Sequence, residues 1–473
     1  MSLLRSATAS AVVLIILCAV RGTAAESREP IGPDRALVVD EEVWPYFNWA
    51  SFDQDKVVSF GDYQYCLYWD ADMTLVVVRR DLRTDEIQTL RLPEFTLTIN
   101  PRDGHRNTVV GISPSDGRLH LSWDHHNNDL RYTRSRAGFL TKPPERITGD
   151  DFEPAQPLTA DAPQSVTYPR FFNNAQDDLF FFYRSGGSGS GDSVLFRYDA
   201  SAGHWQMISN RLLGRQGVYP PWNNSSSRNA YLHDLLFDLR GRLHLTWVYR
   251  EEGATWASNH DLHYAYSDDE GITWKNNAGD QVADTRLDQQ IVIGSPGIVV
   301  RKIPVFSWLM NQCAMTLDSK NQPHVATYHM PQTFRPEELR HDPPQSARHR
   351  LRYYHYWRDS HNDWHRSDPL ELPLPPRRPQ IISTPDDTIL LYFATEQGFQ
   401  CHFARSSDGW REWKTCRLTG PEYTACDATK HDRRLLRERG ILSFTADPKG
   451  LESGSGFAIL DFQMARVMQA LQE

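Results

Sequence analysis

Apolar and polar residues alternate in short runs along this chain, a period of two that predicts β-strands rather than helices. Such runs occupy 63–70 (YQYCLYWD), 74–79 (TLVVVR), 119–123 (LHLSW), 179–184 (LFFFYR), 243–249 (LHLTWVY), 324–328 (HVATY) and 389–394 (ILLYFA). Turn residues separate nearly all of them. Helical spacing is absent until the last residues, where 457–471 is expected either to close the fold or to end as a short helix.

Repetition adds the architecture. The segment 116–123 (DGRLHLSW) recurs as 240–247 (RGRLHLTW), with a weaker echo at 321–328 (NQPHVATY). One turn feeding one strand is being reused, as in repeat folds. The segment 267–274 (SDDEGITW) matches the Asp-box pattern S-x-D-x-G-x-T-W, and 406–413 (SSDGWREW) is a degraded copy. In an Asp box the Asp side chain and the Gly backbone close a turn between strands while the Trp packs beneath it, a structural role. Radial repetition of such units predicts an all-β propeller, which leaves only short, protected edges. At roughly 60 residues per four-stranded blade with its loops, the chain divides into about seven blades, within the usual four to eight. The run 188–192 (SGSGD) predicts a flexible loop, and 331–350 a long polar excursion over one face.

The N-terminus has a basic residue at Arg5, an apolar stretch over 9–20 and the small residues Thr23, Ala24 and Ala25. This is the layout of a secretory signal peptide, with 1–25 removed and 26–473 forming a single propeller. No later stretch offers the roughly 18 apolar residues of a membrane-spanning helix. A secreted or periplasmic monomer is therefore expected, with no membrane partner. A net charge of −9, more negative once Arg5 and Arg21 are lost, argues against nucleic acid. It also requires any acidic substrate to meet a locally basic cleft. Cys18 lies in the leader, so Cys66, Cys313, Cys401, Cys416 and Cys426 remain, an odd set in which one thiol stays unpaired or ligates metal. Cys401 and Cys416 flank a hairpin-like stretch and are a candidate disulfide in an oxidising compartment.

Candidate chemistry lies where the repeat is broken, because repeat proteins place function on loops of one face. His105 in 103–107 (DGHRN), and His125 and His126 in 124–128 (DHHNN), do not recur in other blades. His120 does recur, as His244, and is read as packing. Tyr168 in VTYPR, Arg184 closing the strand FFFYR, and Tyr231 in NAYLHD complete the set. An arginine ending an apolar strand must emerge beside a partner or into a cleft. Each residue alone has an ordinary structural explanation. Together they suit β-elimination of a 4-linked uronate, which needs a neutralised carboxylate, a base for the C5 proton and an acid for the departing oxygen. Arginine supplies a permanent charge and a bidentate fork. Histidine titrates near working pH, and tyrosine beside a cation serves as base or acid.

From about Trp44 to past His329 the chain resembles the BNR-repeat polysaccharide lyases, in particular the ulvan lyases. The similarity is carried by GHRN, WDHHNN, TYPRF, FFYRSG, YLHDLLFDLRGRLHLTW, NHDLHYAYSDDEGITW and NQCAMTLDSKNQPHVATYH. That resemblance implies a seven-bladed β-propeller lyase acting on an acidic, sulfated polysaccharide of the ulvan type. It further implies that His105 and His125 line the catalytic centre and that Tyr168 assists or performs proton transfer. Arg184 then neutralises the uronate, and Tyr231 binds substrate or shares the acid/base work, with His126 the register alternative to His125. Some of these lyases carry a structural metal, and His260, His263, Cys313 and His329 are the residues here that could hold a zinc ion. His324, at the repeated strand position, is the weakest candidate, and the spacing matches no compact zinc motif. No organic cofactor is expected.

Two other readings stay open. A sialidase-like propeller needs three arginines on one carboxylate and a Tyr/Glu pair, for which Arg301-Lys-Ile-Pro304 is a poor motif, and glycoside hydrolysis needs two well-placed carboxylates. A non-catalytic glycan-binding propeller would use Trp222, Trp247 and Trp256 as stacking platforms.

Overall fold

Consecutive strand-forming runs pair with one another, giving seven antiparallel sheets arranged as a seven-bladed β-propeller. The computed structural model describes residues 29–472 except 46, 47, 50–54, 98–101, 160–164 and 254; the expected leader, 1–25, lies outside the described residues. Six blades are built from successive strands within 57–96, 108–134, 166–209, 228–301, 314–366 and 380–417. The seventh joins Tyr423–Thr424, Ile441–Pro448 and Phe457–Gln463 to the N-terminal strand Arg35–Asp40, with Arg35 opposite Asp461. One sheet thus unites the two ends of the ring and covers the edge that an open array would expose. Helix Met464–Ala470 follows that strand. A second helix, Arg433–Arg439, was not expected from the pattern. No helix among the described residues is long and apolar enough to cross a membrane.

One turn geometry recurs in six hairpins among the described residues. The side chains of Asp70, Asn174, Asp238, Asn276, Asp318 and Asp359 each accept the backbone N–H groups two and four residues onward. The fourth residue of each, Met73, Asp177, Gly241, Gly279, Asn321 or Asn362, takes a positive φ of 61 to 98°. Its N–H bonds the carbonyl of the first. The side chain stands in for a backbone turn, which lets a residue other than glycine occupy the left-handed position in four of the six.

The Asp box forms as expected. Asp269 accepts from the Thr273 backbone at 2.8 Å, Ser267 accepts from Gly271 N at 2.8 Å, and buried Trp274 donates to the Gly271 carbonyl at 2.9 Å. Its degraded copy turns on Asp408, which accepts from Arg411 and Glu412. The repeated histidines are packing residues: each bonds the side chain opposite the position two residues onward. His120 pairs with Tyr132, His244 with Tyr264 and His324 with His355, at 2.7, 2.9 and 2.8 Å.

Behind the site lies a buried ionic hub. Asp234 takes Arg170 at 2.8 Å, Lys430 at 2.7 Å and Arg433. Arg170 belongs to the third blade, Asp234 to the fourth and the other two to the seventh, which is not adjacent to them in the ring, so the contacts span the central channel. Burial favours the neutral acid, but Arg433, Lys430 and Arg170 hold Asp234 well below the usual carboxylate range. Burial, with Arg433 and Arg170 close by, brings Lys430 down to about 7 despite Asp234.

Replacing Asp234 with Asn strands two buried cations, Arg170 and Lys430, beside the part-exposed Arg433 and is expected to lower the unfolding free energy by about 3–5 kcal/mol, read by denaturant titration. Because folding depresses this pKa, its contribution is present above the unfolded value of about 3.9 and is lost as pH falls through the lower folded value. Acid destabilisation should therefore be shallower in the variant. On neighbouring strands Cys401 faces Cys416 with the sulfurs 2.9 Å apart, both as free thiols. After mild oxidation, alkylation should count two fewer thiols than in reduced protein, and an unchanged count would remove this pair as a disulfide.

Candidate active site

The site is built on two bulged inner strands and one borrowed strand. In Val166–Asn173 the register slips between Thr167 and Arg170, and in Arg228–Phe237 between Leu232 and Asp234. Tyr168 sits in the first irregularity at φ 57°, a left-handed conformation that costs a side-chain-bearing residue about 1–2 kcal/mol. The bulge re-aims its ring. A short strand, His126–Asn128, leaves the second blade and pairs with the third, setting His126 opposite Thr167. His126 is thereby brought beside Tyr168.

Asp103 organises the histidines. Nδ1 of His105 donates to one carboxylate oxygen at 2.6 Å and Nδ1 of His126 to the other at 2.5 Å, while the rings stack at 4.1 Å. Both imidazoles therefore carry their Nδ1 proton toward Asp103 and turn Nε2 away from it. Their side chains remain 37% and 30% exposed. Burial resists ionisation of Asp103, but the two imidazole bonds keep its pKa low. Burial lowers the His105 pKa, helped by His126 and Arg184 and opposed by Asp103. The His105 and Tyr168 rings lie 5.9 Å apart.

Two buried arginines face the tyrosines. Arg184 lies 5.0 Å over the Tyr168 ring and 5.7 Å over that of Tyr231, and donates to the Tyr231 hydroxyl at 3.3 Å, Asn127 Oδ1 at 3.1 Å and the Gly186 carbonyl at 2.9 Å. Arg250 lies 4.6 Å over Tyr231 and donates to its hydroxyl at 3.2 Å, to Asn259 at 2.8 Å and to Asn311 at 3.1 Å. Among the described residues neither guanidinium forms a salt bridge, although they are only 3% and 8% exposed. A buried charge without a counter-ion is costly, so the site is primed for an anion. The field divides the tyrosines. Burial raises Tyr231, but Arg250 and Arg184 overcome it and bring the phenol to about 8. Burial, reinforced by Tyr231, pushes Tyr168 up despite Arg184.

His105, His126, Tyr168, Arg184 and Tyr231 are thus brought together, and His125 is not. Asp124, at φ 61°, turns the chain so that His125 points inward, fully buried, where Nε2 accepts from Arg131 N at 3.2 Å and burial takes its pKa to about 3. His126, the register alternative, occupies the site. Residues 188–192 are not a loose loop: Gly189 (φ 72°) folds the hairpin onto the fourth blade, donating to Asn229, and Ser188 Oγ lies 3.0 Å from the Tyr231 hydroxyl.

His260, His263, Cys313 and His329 are not assembled into one ligand set. His260 is held by Glu251 and Asp261, His263 packs between Trp247 and Tyr249, and His329 bonds Tyr356 and the Met330 carbonyl. Cys313 contacts the Asn311 carbonyl at 3.8 Å. Among the described residues, the grouping of ligand atoms within 4.8 Å of one another is instead Asp103, His105 and His126. Trp222, Trp247 and Trp256 are all buried, which removes them as open sugar platforms. Sequence reasoning passed over Asp103, Asn127 and Arg250. Asp103 lies two residues before His105 and Asn127 immediately after His126, adjacency that could have flagged both; Arg250 follows Tyr249 at the end of the apolar run 243–249, the same signal that singled out Arg184.

A family model described as BNR repeat-containing family member matches residues 63–371, and the chain belongs to that family. Within it, the chain is 22% identical over 320 residues to the long isoform of ulvan lyase from Alteromonas sp, covering 57% of this chain and 31% of that protein. It is 22% identical over 280 residues to the short isoform from Alteromonas sp. (strain LOR), covering 48% and 50%. The chain therefore spans 31% to 50% of these relatives' lengths. Among solved structures, the polysaccharide lyase Uly1 superposes with a TM-score of 0.69 at 14% identity, over 91% of this chain and 99% of that one. A PL25 ulvan lyase bound to -[GlcA(1-4)Rha3S]- gives 0.57 at 13% identity with the same coverage. These likenesses establish the propeller fold.

Ultraviolet titration should reveal one tyrosine ionising near pH 8, assigned to Tyr231. In Arg250→Ala that step should move toward the ordinary phenol value of about 10. An unmoved step would separate Arg250 from Tyr231 electrostatically.

Proposed function

We propose that this protein is a polysaccharide lyase that cleaves an acidic, ulvan-type polysaccharide by β-elimination next to a uronate. The observation that carries the reading is the buried Arg184, without a carboxylate partner among the described residues and set against Tyr168, Tyr231 and the histidine pair. The lyase relatives and the shared propeller support it. In this mechanism Arg184 binds the uronate carboxylate through its fork and so acidifies the C5 proton. Neutral His105, fixed by Asp103, takes that proton on Nε2. The C5 electrons form the C4=C5 double bond as the C4–O4 bond breaks, and the Tyr168 hydroxyl protonates O4. The depressed imidazole and the elevated phenol suit base and acid respectively. The secreted or periplasmic location is kept as part of this proposal, since an extracellular polymer requires it. The proposed chemistry assigns no step to zinc, and thermal melting with and without a chelator would detect a structural ion.

Arg184→Ala is expected to reduce turnover by on the order of a hundredfold to a thousandfold, and Arg184→Lys to remain poor because a point charge does not reproduce the fork. Tyr168→Phe should lose about a hundredfold or more. The assay is ultraviolet absorbance of the conjugated product on a panel of uronate polysaccharides; reducing ends released without that absorbance would indicate a hydrolase. The acid limb of the kcat/KM profile should fall below the ordinary imidazole value of about 6.5, since activity rises as His105 loses its proton and its pKa is lowered.

A further inference from the structure

Beside the catalytic centre is a cavity of about 270 Å³ that shares Arg250 with it. Its other cationic lining is Arg348, Arg377 and Arg378, against the two carboxylates Asp342 and Asp427. Asp427 is already held by Arg378 at 3.0 Å. Arg378 in turn donates to the Asn311 carbonyl at 2.9 Å, and the Asn311 side chain accepts from Arg250 at 3.1 Å, which links the cavity to the Tyr231 hydroxyl in three steps. Arg348 and Arg377 are part-exposed. Their hydrogen bonds run to the Pro343 carbonyl and the Cys426 sulfur, and no salt bridge forms with either among the described residues. In a chain of net charge −9, this is a local excess of positive charge over apolar lining from Met310 and Tyr328.

The volume is slightly below that of pockets for drug-sized ligands, about 300–1,000 Å³, and suits one sugar ring rather than a chain segment. Apolar surface beneath a ring with cations at its rim is the chemistry for a sugar bearing an anionic substituent. Two of the contributing segments, the excursion at 331–350 and the stretch 375–378, lie largely or wholly outside the repeated strands, so their residues are free to vary without disturbing a blade. From this geometry we infer that the cavity is an anion-selective subsite, in which Arg348 and Arg377 hold a sulfate ester or carboxylate on the sugar adjoining the one that is cleaved. The inference rests on the lyase reading of the neighbouring centre.

The test compares wild type with the R348A/R377A double variant on ulvan and on the same polymer after chemical desulfation. The double variant should show KM raised about tenfold on ulvan with kcat changed less than twofold, since charged contacts remote from the reacting bond act on binding. A gap that closes on the desulfated polymer identifies sulfate as the group recognised, and a gap that persists identifies carboxylate; either supports the subsite. Equal KM values for the two proteins on both polymers overturn it. Affinity electrophoresis in ulvan-containing gels separates the two proposals. A wild type that is retarded but never forms unsaturated product, with retardation lost in the double variant, sinks the lyase reading and leaves the subsite standing. Turnover with unchanged retardation and KM sinks the subsite alone.

Discussion

A single carboxylate, Asp234, meets three cations in the middle of the ring, and the geometry of the site depends on that contact. Arg170 follows Tyr168 by two residues, and Asp234 follows Tyr231 by three. Each partner of the ion pair thus lies at a register slip, the first enclosing Tyr168 and the second falling just beyond Tyr231. A bulge is a place where a strand could relax by sliding one residue, which would reverse the face of every side chain beyond it. Tying both irregularities to one buried charge removes that freedom. The hub also reaches the seventh blade through Lys430 and Arg433, so the site is braced from across the channel rather than by its own blades alone.

The hub and the arginines around Tyr231 treat charge in opposite ways. Three cations converge on Asp234, and two around Tyr231 meet only neutral acceptors among the described residues. In the first case the carboxylate is supplied by the fold. In the second the arginines have no such partner among the described residues, which on the proposed reading suits them to a substrate carboxylate, and the desolvation cost of those guanidinium groups has already been met during folding. Such preorganisation lets a site bind developing negative charge without rearranging at the moment of reaction.

Much of the fold was legible because it is repeated. The alternation at 119–123 and 243–249 and the Asp box at 267–274 became strands and turns as read, and His120 and His244 proved to be packing residues. The recurring Asx turn was visible in principle, with Asp or Asn at positions 70, 174, 238, 276, 318 and 359, but only two of its left-handed positions are glycine, so the usual marker was missing. The site was less legible for a different reason. Choosing between His125 and His126 requires the pleat of a three-residue strand that departs from its own blade, and a backbone turn at Asp124 decides it. The proposed zinc ligands share a chemical type but have separate partners, His260 and His263 even on a single strand, and composition alone cannot distinguish that from convergence. The hub depends on contacts between positions far apart in sequence, which no local pattern records, whereas Arg250 ends an apolar strand just as Arg184 does.

The joining of Arg35–Asp40 to Phe457–Gln463 has a consequence for assembly. The first strand of the circle waits for the last among the described residues, so the loop that must be closed runs from Arg35 to Asp461, and its entropic cost can be recovered only after the other blades have formed. Until then the seventh blade lacks its outer strand, and the unfinished intermediate carries a bare sheet margin that another molecule could pair with. The clasp that makes the finished ring resistant to opening is therefore also the step at which an unfinished chain is most exposed to the wrong neighbour.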